Sequence, residues 1–117
     1  MPNNSMHSAV ILVTRNGMGT DEQALSQKLA GTYFRLLLEN GDLPAAICFY
    51  AEGINLVVAS SPVLEPLAEL ESRGVRLIVC TTCLNYYNKM DMLKVGIAGG
   101  MGDILAAQAA AAKVITL

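Results

Sequence analysis

The stretch Val75-Arg76-Leu77-Ile78-Val79-Cys80-Thr81-Thr82-Cys83-Leu84 constrains this chain more than any other. Its apolar, β-branched run has the composition of a parallel strand buried on both faces, and such strands occur almost only inside a sheet covered by helices. The run stops abruptly at Cys-Thr-Thr-Cys. In open parallel sheets, the carboxyl ends of the strands are where ligands and reactive groups gather. Thr81 and Thr82 carry the side chains of helix N-caps, so a helical turn is expected to follow at once. A thiol placed there faces the positive end of the helix dipole, which favours the thiolate.

The rest of the chain reads as scaffold of the same kind. Ala9 to Thr14 is an apolar strand, and 15–19 a turn. Thr20 and Gln23 have the spacing of a capping box for a helix running to about Glu39 and stopping at Asn40-Gly41. Leu25, Leu29, Thr32, Tyr33, Leu36 and Leu37 are expected on its core-facing side. Residues 45–50 form a second strand, and 54–59 a short helical turn. Ser61 as N-cap and Pro62 at the first position open the next helix, which Gly74 closes. After the Cys80 strand, 85–89 read as helical and 93–96 as a fourth strand. Residues 98–102 read as a flexible loop, and Asp103 as the cap of an Ala-rich helix over 104–112. Residues 113–117 are the fifth strand. Strands alternating with helices at these spacings predict a three-layer α/β/α sandwich on a five-stranded parallel sheet.

One such domain, residues 9–117, fits within 117 residues, with no internal repeat or linker. Apolar residues make up 53% of the chain and charged residues 15%, further toward apolar than is usual. No apolar run has the length of a membrane span, so the surplus is expected to face another subunit. Residues 1–8 are polar without the basic region of a signal peptide; they read as a flexible leader on a cytoplasmic protein. The eight Lys and Arg are scattered and Trp is absent, which argues against nucleic acid.

Three cysteines, Cys48, Cys80 and Cys83, are an odd count that argues against a secreted disulfide framework. Cys80-x-x-Cys83 has several meanings. A redox dithiol of the thioredoxin kind would sit after the opening strand, with a later proline-bearing turn; no proline follows Pro66. A zinc half-site would need further ligands, and only Cys48 and His7 remain. A nucleophilic or persulfide-carrying thiol suits the strand end. The plainest alternative is two small buried hydrophobes. Around the thiols, the pocket candidates are Gly17, Gly19, Glu52, Gly53, Thr82 and Tyr86, with Tyr87 and Arg15 as further rim residues. Gly17-Met18-Gly19 opens a helix as phosphate loops do, but Glu22 stands where the dinucleotide fingerprint has glycine, and no Walker lysine is present. A tight turn is the expected role. No cofactor and no metal are expected.

Several of these residues together resemble the DsrE/DsrF-like family. They are Gly53-Ile54-x-Leu56, Ser61-x-Val63-Leu64-x-x-Leu67-x-x-Leu70, Gly74-Val75-x-Leu77-x-x-Cys80-x-Thr82-Cys83-Leu84 and Leu93-x-Val95-Gly96. The turn Gly17-x-Gly19-x-Asp21 fits as well. Within the family, the chain is most similar to the C-terminal domain of the YedF-type, sulfurtransferase-like selenium metabolism proteins. It departs from them at Ala51, where they usually have Asn, and at Gly100-Met101-Gly102, where Asn-Met-Tyr is frequent. The resemblance implies a parallel sheet between helices and homo-oligomers of three or six chains. It also implies sulfur trafficking with a donor or acceptor protein: Cys80 matches the cysteine that carries sulfur as a persulfide, and Cys83 the second cysteine of the YedF-like branch. A non-catalytic binding or redox-sensing module on the same fold is the alternative.

Overall fold

The computed structural model describes residues 5–117. Five strands, β1 (Ala9–Val13), β2 (Ala46–Phe49), β3 (Arg76–Cys80), β4 (Ile97–Gly99) and β5 (Lys113–Thr116), form one sheet in the order β4-β3-β2-β1-β5. Every pairing is parallel. Helices α1 (Gln23–Asn40), α2 (Leu64–Ser72), α3 (Thr81–Tyr86) and α4 (Met101–Ala110) alternate with the strands, and short 3-10 helices cover Ala51–Leu56 and Met90–Met92.

The three central strands are apolar on both faces because each face meets a separate core. Ile11, Val13, Ile47, Phe49, Leu77 and Val79 point to one side, where Phe34 and Leu37 of α1, Leu67 and Leu70 of α2 and Leu84 of α3 close over them. Val10, Leu12, Ala46, Cys48, Ile78 and Cys80 point to the other, under Ile104 and Ala107 of α4. The result is a three-layer α/β/α sandwich. Fully burying a side chain such as Phe49 or Ile47 contributes about 1.5–3 kcal/mol, so the sheet interior carries most of the stability.

Several local expectations are corrected. The buried side of α1 is Ser26, Ala30, Gly31, Phe34 and Leu37, whereas Leu25, Leu29 and Leu36 are exposed. The inner face mixes small and large residues, with Gly31 beside Val63 at the start of α2, where a Cβ would come to 3.4 Å. No capping box forms at Thr20. Glu22 is the N-cap, and no side chain caps it. Helix α2 begins at Leu64 rather than Pro62, although Ser61 Oγ still accepts the Val63 N–H at 3.2 Å. Its end is the expected one: Gly74 adopts φ 98°, with Gly74 N–H on Glu71 and Val75 N–H on Leu70, a Schellman arrangement. The fourth strand is not 93–96 but Ile97–Gly99, whose last two residues fall in the stretch read as a loop. Leu93 makes only an antiparallel bridge to Val58, and Gly96 turns the chain at φ 83°. Helix α4 accordingly starts at Met101, with Asp103 reaching back to accept the Gly100 N–H at 3.0 Å.

Residues 1–4 of the expected leader lie outside the described residues. Of the remainder, Ser5 Oγ and the Met6 N–H both donate to the Asp42 carboxylate, at 3.0 and 2.9 Å. Among the described residues, no helix is long and apolar enough to cross a membrane.

The Ala51–Leu56 helix lies across the carboxyl ends of β1 and β2. Tyr50 N–H bonds Val13 O at 3.1 Å, and a Cβ on Gly53 would stand 1.9 Å from that same oxygen. Gly53, expected near a pocket, serves this close approach. Gly53→Ala is therefore expected to cost about 3 kcal/mol, the upper range for overpacking, measured as a lowered midpoint in urea unfolding with unchanged slope.

Candidate thiol site at the switch point of the sheet

Strands β3 and β4 are neighbours, yet their following helices leave in opposite directions. Leu84 of α3 joins the core of α1 and α2, and Ile104 of α4 joins the other. A crevice opens at such a point beyond the carboxyl ends of the strands. Cys80 ends β3 there, paired with Gly99 of β4. Thr81 Oγ1 donates across the gap to Gly99 O at 3.1 Å.

Cys80 is itself the N-cap of α3: its Sγ accepts the Cys83 N–H at 3.4 Å. Neither Thr81 nor Thr82 takes that role. Thr81 is spent on Gly99, and Thr82 is an exposed first-turn residue. Turning inward to cap also buries the thiol. The strand-end position suggested an open sulfur, but Cys80 is 1% exposed, packed with Cys48 and Ile78 under α4. Cys83, one turn on, is only half-buried. Its Sγ accepts the Ala51 N–H at 3.2 Å, while its own N–H is held by the Cys80 Sγ.

Burial pushes the Cys83 thiol above the ordinary thiol pKa, and the hydrogen bond and charge of Cys80 add to the rise, while the Ala51 N–H opposes it. Cys48, fully buried in mid-β2, is also pushed up by burial, partly offset by the Arg76 guanidinium.

The other pocket candidates divide. Gly19 and Glu52 come together, with Arg15 and Asp21, around a polar hollow of about 180 Å³. Gly17 does not line it; at φ 150°, with its Cβ position 2.5 Å from Ser26, it lets Met18 N–H reach Ser26 O at 2.8 Å. Tyr86 is 80% exposed beyond Cys83 and stacks edge-on with Tyr87 at 5.1 Å. Among the described residues, no three His, Cys, Asp or Glu side chains converge as a metal set would. The Ala51 contact was not anticipated. Ala51 has φ 51°, a left-handed conformation that Asn tolerates far better than Ala, so the missing Asn at this position was the available signal.

The sequence matches the DsrE/DsrF-like family over residues 8–117. Among curated proteins, none matches significantly. Among solved structures, the chain is similar to a protein of unknown function, MTH1491, from Methanobacterium thermoautotrophicum. The identity is 21% and the TM-score 0.68, over 95% of this chain and 99% of the other. It is also similar to the ychN protein from E. coli, with 16% identity and a TM-score of 0.69, over 96% of this chain and all of the other. At these identities the likeness shows the shared fold.

The site geometry gives a sharp expectation for thiol reactivity. In the native protein, iodoacetamide is expected to label Cys83 alone, with Cys48 and Cys80 reacting only in denaturant. Because the Cys83 pKa is raised, its thiolate fraction is small at neutral pH, and the labelling rate should keep climbing beyond the pH at which an unfolded thiol levels off. Peptide mapping across a pH series checks both; faster native labelling of Cys80 would contradict the burial described above.

Proposed function

The chain belongs to the DsrE/DsrF-like family, and from that premise we propose that it is a cytoplasmic sulfur-trafficking protein carrying sulfane sulfur as a cysteine persulfide. The observation that carries this reading is the juxtaposition of two thiols at the switch point of the sheet, one half-buried and one buried, with the Cys83 N–H bonded to the Cys80 sulfur. Cys83 is the thiol that a partner meets first. Its thiolate attacks the terminal sulfur of a donor persulfide, the donor S–S bond breaks, and the donor leaves as a thiolate. The Cys80 thiolate then attacks the outer sulfur of the Cys83 persulfide, and Cys83 departs as a thiolate. Each step exchanges one S–S bond for another, so no external oxidant or reductant is needed. Sulfur held on Cys80 is shielded by the burial that makes this thiol a poor first acceptor.

One observation favours a second reading, a non-catalytic redox-sensing module. The raised pKa of Cys83 and the burial of Cys80 both slow attack at neutral pH. The two readings separate in intact-mass spectrometry after incubation with a protein persulfide donor. The carrier reading expects one added sulfur atom in the wild type, uptake slowed about tenfold or more in Cys83→Ser, and uptake in Cys80→Ser that is quickly lost to added thiol. No sulfur uptake by the wild type from any donor, with a Cys80–Cys83 disulfide as the only product, leaves the sensor reading.

We also propose that the chain associates with copies of itself, in threes or sixes. The exposed leucines of α1, together with Ile97, Leu105 and Val114 around α4, form apolar surface that a single copy leaves uncovered. The double variant Leu25→Lys/Leu29→Lys should sediment at a lower mass than the wild type with an unchanged circular dichroism spectrum. A wild type that sediments as a clean monomer at micromolar concentration would sink the proposal.

A further inference from the structure

A second polar cavity, with neither thiol in its lining, has a volume of about 310 Å³. Asn16, Gln27, Asn55, Ser60, Ser61 and Lys89 supply its walls, and it shares Asn16 and Gln23 with the smaller hollow at Glu52 and Asp21. Joined, the two have the size of a small-metabolite site.

Three observations point to an occupant. The first is Lys89. Its Nζ donates to Asn55 Oδ1 and lies 5.9 Å from the Tyr87 ring centre. Among the described residues no carboxylate reaches it, and the ion pair found is Arg73 with Glu69. A half-buried ammonium with a neutral amide partner keeps two donors in hand and lacks an anion. Its position is set by the backbone: α3 ends in a second Schellman arrangement, Asn88 N–H on Asn85 and Lys89 N–H on Leu84, with Asn88 in the left-handed region at φ 55°.

The second observation is the amide row. Gln27 Nε2 donates to Asn16 Oδ1 at 3.1 Å, and Asn55 Nδ2 donates to Glu52 O at 3.0 Å. These bonds fix the carboxamides while leaving Gln27 Oε1 and Asn16 Nδ2 for a guest. The Ser61 Oγ that accepts from Val63 N–H keeps its own proton to donate. The third is Ser60, at φ 75°. It is the third residue of a turn closed by Ser61 N–H on Val58 O at 3.1 Å, a position that favours glycine. Serine there keeps a hydroxyl on the cavity wall at the cost of strain, and such strain gathers at ligand clamps.

We infer that this cavity binds a small polyhydroxylated anion, a sugar acid or sugar phosphate. Its carboxylate or phosphate sits on Lys89, and its hydroxyls lie along the carboxamides toward Glu52 and Asp21. The site is separate from the sulfur chemistry and stands whether or not Cys83 carries sulfur.

The test is a titration of the isotope-labelled full chain, following the side-chain amide signals of Asn16, Gln27 and Asn55 by NMR. Gluconate, glucose monophosphate, glucose and inorganic phosphate are the probes. Saturable shifts are expected with gluconate, glucose monophosphate or both, and none with glucose; which of the two binds identifies the anionic head. Lys89→Met should weaken that binding about tenfold or more, as loss of a charge-assisted contact does. Cys83→Ser should leave it unchanged. Ser60→Gly should raise the melting temperature while weakening binding, a pair of effects that a purely structural serine would not give. Absence of saturable shifts with both anionic sugars up to about 10 mM, a few kcal/mol of binding at most, overturns the inference. Unchanged affinity in Lys89→Met does so too, and inorganic phosphate binding as tightly as glucose monophosphate overturns the polyol assignment.

Discussion

The parting of the chain after β3 and β4 is the constraint on which the rest of the site depends. Both strands are parallel and adjacent, and their helices must leave to opposite faces because α1, α2 and α3 already fill one of them. That parting is a consequence of topology, and the backbone groups beside it need hydrogen-bonding partners once the ladder ends. Thr81 meets Gly99 there, and Cys80 meets one of the orphan N–H groups of the first turn of α3, that of Cys83. The sulfur is therefore doing structural work as a cap in the same place where chemistry is proposed for it.

That double duty explains the burial of Cys80. A capping side chain has to turn back over its own helix, and β3 delivers it under α4. A thiol cannot at once cap inward and open to solvent, so access falls to Cys83, whose sulfur is steadied from the Ala51–Leu56 helix. The pair is thus arranged in depth. Desolvation raises the pKa of the outer thiol while the Ala51 N–H restrains the rise, which keeps the thiol protonated and quiet at neutral pH unless a partner adds positive charge or further donors.

Most of the fold was legible in the sequence because β1, β2 and β3 are apolar on both faces, a pattern that few structures other than a covered parallel sheet accommodate. Cys80 and Cys83 were legible for the same reason: the strand that carries them ends so sharply. What failed was local and had local causes. Helix α1 carries two apolar stripes, and the one that meets the core runs through Ala30, Phe34 and Leu37 while Leu25, Leu29 and Leu36 face out. Strand β4 is three residues long at a sheet edge and ends in glycine, so its pairing with β3 is a tertiary fact with almost no local signature. Sulfur as an N-cap lies outside the propensities that made Thr81 and Thr82 attractive. The contacts of Ala51 with Cys83 and of Asn55 with Lys89 join positions more than thirty apart in sequence, and no periodicity encodes them.

Strain marks the same region independently. Among the described residues, the non-glycine positions with positive φ are Ala51, Ser60 and Asn88. None lies in the sheet or in the long helices. Ala51 opens the helix that holds Cys83, Ser60 borders the polar cavity, and Asn88 sets Lys89 at its wall. Asn88 is the one residue type of the three that tolerates this conformation well; an Ala or Ser there costs about 1–2 kcal/mol each. A chain selected for stability alone would put Gly or Asn at all three. Strain at the carboxyl edge, over a sheet whose three central strands are apolar and paired on both sides, is the distribution expected when that edge, and not the core, is what the protein uses.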